Sequence, residues 1–232
     1  MVETKSSRGA LITWPLYLLF FLVAGVAGAI ISWGFLTESL AVLGIPDPGP
    51  ITTAGLPLLR AGAWLLAALS VGSFLFASFL LSPRQGDIRR AYLTVDGLIA
   101  SRTGAVAALV FAFIGIIMVP LVLSDVSGQP ITEAIQPANW LVALNQVADA
   151  QAWLISAIIA LVVGGAALIA PRTWMWQPVW LVGAILIVAP QGLSGHSAAG
   201  GDHDYGTNSL LWHVLFMMLW VGGLMALIAH GR

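Results

Sequence analysis

Long apolar runs, each broken by a short polar or proline-rich stretch, dominate the pattern along the chain. Six of them, 11–36, 61–81, 104–123, 151–170, 176–193 and 209–229, are of the length needed to cross the hydrocarbon of a bilayer, which takes about 20 helical residues. Backbone groups in lipid must bond within their own segment, so each run predicts a transmembrane helix rather than an isolated strand. The fifth is the shortest, and Pro178 and Pro190 bracket it, which predicts frayed or kinked ends. The expectation is an all-α, polytopic integral membrane protein with about six transmembrane helices in a single domain over 1–232.

The connections differ in character. The stretch 38–60 contains Pro46, Pro48, Pro50 and Pro57 and is expected to lie extended over the membrane surface. The stretch 125–150 is long, and Trp140, Leu141, Leu144 and Val147 recur within it at helical spacing, predicting a short interfacial helix. The stretch 83–103 is basic and suits an anionic leaflet. Ala24 with Gly28 and Gly25 with Ala29 give the first helix small residues four apart, a packing surface for a neighbour.

Composition agrees with this pattern. The 232 residues are 59% apolar and 8% charged, with a mean hydropathy of +0.95, whereas a soluble chain carries roughly a quarter charged residues. The formal net charge of -1 is uninformative in total, but its distribution orients the chain. Lys5, Arg8, Arg84, Arg89, Arg90, Arg102, Arg172 and Arg232 fall on one side of a six-helix serpentine. Glu38, Asp47, Asp125, Glu133, Asp149, Asp202 and Asp204 fall on the other, with Arg60 as the basic exception. Positive residues stay in the cytoplasm, so both termini are expected there. Arg60 is read as interfacial, with Glu38 as its candidate partner, and Asp149 as an acid that complements the start of the fourth helix. Tryptophans near predicted helix ends, such as Trp153, Trp176 and Trp212, read as an aromatic belt.

Candidate chemistry collects at one end. All four histidines, His196, His203, His213 and His230, fall at or after position 196. The last outer loop is glycine-rich and holds His196, Asp202, His203 and Asp204. The last helix, capped by Thr207 or Asn208, then presents His213 and Met217 one turn apart on one face, with Met218 beside them and Trp220 below. There are no cysteines, so a metal would rely on these imidazole, thioether and carboxylate groups. One borderline and one soft ligand suit copper rather than magnesium or calcium. His196, His203, His213 and Met217 are therefore the candidate ligands, with Asp202, Asp204, Met218, Trp220 and Arg60 as secondary candidates. Each also has an ordinary reading: an interfacial histidine, a core methionine, a snorkelling arginine. His230 is read as interfacial at the opposite end. No phosphate loop or nucleophile–base set is visible, so neither nucleic-acid binding nor an enzyme is expected.

The order Gly195-His196, His213, then Trp220-Val221-Gly222-Gly223-Leu224 resembles the copper-resistance D family of bacterial inner-membrane proteins, and most closely its actinobacterial form fused to a cytochrome c oxidase assembly domain. The resemblance implies copper handling at the outer face of the plasma membrane, by uptake, resistance or delivery to oxidase assembly, with His196 and His213 as ligands. It also implies an exoplasmic copper chaperone and the oxidase assembly machinery as partners. In that family further helices follow the Trp-x-Gly-Gly helix, so the chain reads as an N-terminal portion. Two other classes stand beside this reading: a membrane haem protein with His196 and His213 as axial ligands, and a structural assembly subunit in which the histidines are incidental.

Overall fold

The computed structural model describes residues 22–31, 47–81, 91–170, 172–194 and 203–230, with positions 15, 18 and 19. Among these the chain is helical, and the sole β feature is an isolated antiparallel bridge between Tyr92 and Thr173. The elements are α1 (Leu22–Ile31), α2 (Pro50–Leu75, continued by a π-helical turn over Phe76–Leu80), α3 (Val95–Ser127), α4 (Ile131–Ala134), α5 (Pro137–Gln146), α6 (Ala148–Ile169), α7 (Gln177–Gly192, led in by a 3-10 turn over Trp174–Trp176) and α8 (His203–His230).

Among the described residues five helices are long and apolar enough to cross a membrane: those of α2, α3, α6, α7 and α8. The first expected span, 11–36, is described as a helix over Leu22–Ile31, and the rest of it falls mostly outside the described residues. Gly25 and Gly28 of α1 face Leu58 and the Pro57 carbonyl of α2, which is the close approach that the small-residue spacing anticipates. The short helix expected within 125–150 is present as α5.

Three boundaries differ from expectation. The proline-rich stretch before Arg60 is not extended from Pro50 onward but forms the first turns of α2. Pro50 sits where a helix has no use for its N–H, and only Pro57 removes an internal bond. Helix α3 begins at Val95 because the Thr94 side chain accepts from the Gly97 N–H at 3.1 Å, and it runs through Pro120 to Gly128, which takes the left-handed conformation (φ 65°). Helix α8 begins at His203, so Thr207 and Asn208 lie inside it rather than capping it. Asp204 in its first turn favours that earlier start.

Packing arranges these helices simply. Helix α2 packs against α3, α7 and α8, and α6 packs against α3 and α7 but shares no extensive packing with α2. Thus α2, α3, α6 and α7 form a four-membered ring with α2 and α6 on its diagonal, and α8 lies outside against α2 and α7. The starts of α2, α6 and α8 share one end of the bundle, here the upper end. At the lower end the α2–α3 and α6–α7 connections are tied by Leu93 N–H to the Arg172 carbonyl (3.0 Å) and Trp174 N–H to the Ala91 carbonyl (2.8 Å). The Trp174 indole donates to the Ser78 carbonyl at 3.0 Å, a group that the π-helical turn leaves available.

Seams are made of small residues. A Cβ on Gly222 of α8 would overlap the Ala68 carbonyl of α2, and one on Gly72 would overlap Gly222. Gly164 of α6 meets the Ala105 carbonyl of α3, and Gly115 of α3 meets Ala157 of α6. Such seams let backbones approach where lipid provides no hydrophobic drive for association. Trp153, expected in an interfacial belt, is instead 1% exposed, stacked on Phe111 with ring centroids 6.0 Å apart.

Candidate metal centre

The candidate ligands lie on and before α8. His196 and Asp202 fall outside the described residues, and for His203 and Asp204 only the backbone is described. His203 is the first residue of α8 and His213 the eleventh. Ten residues along a helix is about 15 Å, which is the separation of the two backbone positions along the axis. His213 and Met217 are one turn apart on one face. His213 is exposed and Met217 half-buried, so the pair offers nitrogen and sulfur from the side of the bundle.

The neighbouring candidates have other surroundings. Met218 is 8% exposed and packs in the core, and Trp220 is 66% exposed, beyond the stacked pair of Trp212 and Phe216. Gly222 of the Trp-x-Gly-Gly segment forms the α2–α8 seam. His230 is half-buried at the lower end, its ring centroid 5.5 Å from that of Phe76 and its Nε2 without a partner, so it is packed rather than snorkelling. Among the described residues no three His, Asp or Glu side chains are grouped to hold a metal ion.

Arg60 does not wait for Glu38, which lies outside the described residues. Its guanidinium donates to the Asp149 carboxylate at 3.0 Å. Asp125, at the upper end of α3, is close enough to feel both charges. Nearby, the Ser124 hydroxyl donates to the Gln129 carbonyl at 2.6 Å, which leaves its oxygen to accept from the Thr52 hydroxyl at 2.7 Å. Sequence reasoning overlooked this chain of hydroxyls and also the buried Ser70, Ser73 and Ser156, all at 0% exposure. Their signal was available: serines inside apolar runs, spaced to share one helix face.

With that geometry in view, comparison with known proteins bears on the histidines. The pattern that defines the copper resistance protein D-like N-terminal domain matches residues 51–205, more than half of the chain. The chain belongs to the copper resistance protein D-like family. The match runs from α2 to the first turn of α8, so it includes Gly195-His196 and Asp202 to Asp204 but stops short of His213 and the Trp-x-Gly-Gly segment. Family membership therefore rests on the five elements α2 to α6 and on α7, more than on the short motif that first suggested it. An uncharacterised protein of Mycobacterium leprae (strain TN) is 27% identical over 195 residues, 82% of this chain and 29% of that protein. The chain thus spans less than a third of the length of this relative. No solved structure matches the chain.

Proposed function

We propose that this membrane protein handles copper as cargo, taking it at the upper end of the bundle and moving it across the membrane or handing it on. The observation that carries the reading is the family match over residues 51–205. In this proposal the upper end is exoplasmic and the basic connections face the cytoplasm of a bacterial cell, a reading that the distribution of arginines and lysines supports. His196 and His203, with Asp202 and Asp204 beside them, receive the ion at the mouth. His213 and Met217, one turn apart and about 15 Å below His203, form a separate, softer station suited to Cu(I). The role is binding and relay without covalent chemistry. The donor is a soluble copper chaperone on the outer side, and in a longer protein an oxidase-assembly domain is the acceptor.

Metal content of detergent-purified protein, wild type beside His196→Ala/His213→Ala, tests this. Stoichiometric copper in the wild type, lost in the double variant, is the expected result. Equal copper in both, or none in either at micromolar free metal, overturns the ligand assignment.

A further inference from the structure

The ring of α2, α3, α6 and α7 contains more polar groups than a sealed membrane core accommodates. The hydroxyls of Ser70 and Ser73 on α2 and Ser156 on α6, and the indole N–H of Trp153, are buried without a hydrogen-bond partner, as is the side-chain amide nitrogen of Gln191 on α7. An unpaired polar group away from water costs roughly 1–3 kcal/mol, so five in one bundle interior call for an occupant. Their positions agree on where it is. Ser70 and Ser73 lie on the side of α2 away from its Ala68–Gly72 seam with α8. Ser156 lies between the α6 positions that meet α3, Gly164 and Ala157, and the one that meets α7, Val163. Gln191 lies between Gly183, which faces α6, and Gly192, which faces α8. These groups are buried where α2, α3, α6 and α7 pack on one another, and hydroxyl, amide and indole groups there suit water and a hydrated cation.

The upper end of the same ring is closed by charge. Helices α2 and α6 stand on the diagonal and share no extensive packing, yet Arg60 of one reaches Asp149 of the other at 3.0 Å. The pair therefore spans the mouth of the ring instead of joining two packed helices. Trp153 and Ser156 follow Asp149 at about 6 and 10 Å down α6, and Ser70 follows Arg60 at about 15 Å down α2. Asp125 stands at the rim and leaves the mouth with an acidic excess.

We propose that the interior of this ring is a water-accessible polar path for small hydrophilic cations, closed at its upper mouth by the Arg60–Asp149 ion pair acting as a latch. The path is distinct from the His213–Met217 pair, which lies on α8 outside the ring.

The chain has no cysteine, so single cysteines can report on the path directly. Ser70→Cys and Ser156→Cys in lipid nanodiscs are treated with a small cationic methanethiosulfonate, beside Val162→Cys on the outward face of α6, where Val162 is 62% exposed. Both path positions are expected to react faster than position 162, and faster with the cationic reagent than with its anionic counterpart. Adding Arg60→Ala or Asp149→Asn is expected to raise their rates about fivefold, the scale of one exposed ion pair. The swapped pair Arg60→Asp/Asp149→Arg, which restores the attraction, is expected to return them to the starting rate. Path positions no faster than 162 in every background overturn the path, and rates indifferent to the ion pair overturn the latch. Ser70→Ala/Ser156→Ala provides an independent reading. A lowered thermal midpoint is expected if the hydroxyls are hydrated, and a raised one, from removing dry unpaired hydroxyls, overturns the proposal. No copper enters either experiment, so failure here leaves the copper reading standing, and the reverse holds too.

Discussion

Trp220 and Gly222 are two positions apart and have opposite surroundings. The indole is 66% exposed on the outward face of α8, while Gly222 lies against the Ala68 carbonyl with no room for a side chain. The segment that looks like a functional signature is, residue by residue, a contact surface of which one half faces away from the bundle. Gly222→Val is therefore expected to destabilise the protein by about 1–3 kcal/mol through overpacking, and Trp220→Ala to stay within about 0.5 kcal/mol. Thermal unfolding of the two variants in detergent decides this, and similar losses for both would show that the seam is not where α8 is held. The spacing of small residues was readable in the sequence. Which of Trp220, Gly222 and Gly223 would meet a neighbour was not, because that depends on the crossing of α8 with α2.

At the scale of elements, apolar runs located five of the long helices, and their ends were the part that failed to show. A hydropathy pattern measures where lipid begins, but a helix continues through the interface as long as its caps and charges allow. Thr94 starts α3 well before the apolar run, and the polar turn that begins at His203 extends α8 upward. The second case changed the site, since a histidine expected in a loop became the first residue of a helix about 15 Å above His213. The side-chain ties at the upper end are similarly invisible in one dimension, because Thr52 and Ser124 are 72 residues apart. Thr52→Val keeps the shape and removes the hydroxyl, and is expected to cost about 1 kcal/mol. Its partner Ser124 still donates to the Gln129 carbonyl, so Ser124→Ala, which breaks both bonds, is expected to cost more. Equal effects in a chemical-denaturation series would mean that the Ser124–Gln129 bond contributes nothing.

For the whole molecule, the distribution of charge and the packing of helices make one joint demand. The ring places Arg60, Asp149 and Asp125 at one end, and the Tyr92–Thr173 bridge with Arg172 at the other. If the basic connections face the cytoplasm, the latch, the α4–α5 segment and the start of α8 all face out, and in the proposed copper reading His196 and His203 are the groups that copper from outside would meet first. Reversal would place the acidic rim and those histidines in the cytoplasm and would remove the reason for an exoplasmic donor. Single cysteines in the Cys-free chain distinguish the two arrangements, at Asn139 in α5 for the upper end and at Arg172 for the lower. With a membrane-impermeant maleimide applied to spheroplasts, Asn139→Cys is expected to label in intact cells and Arg172→Cys only after lysis. The opposite order would invert the molecule and put the latched mouth of the proposed path in the cytoplasm, while the ring, its polar interior and the ion pair across its mouth would stay as they are.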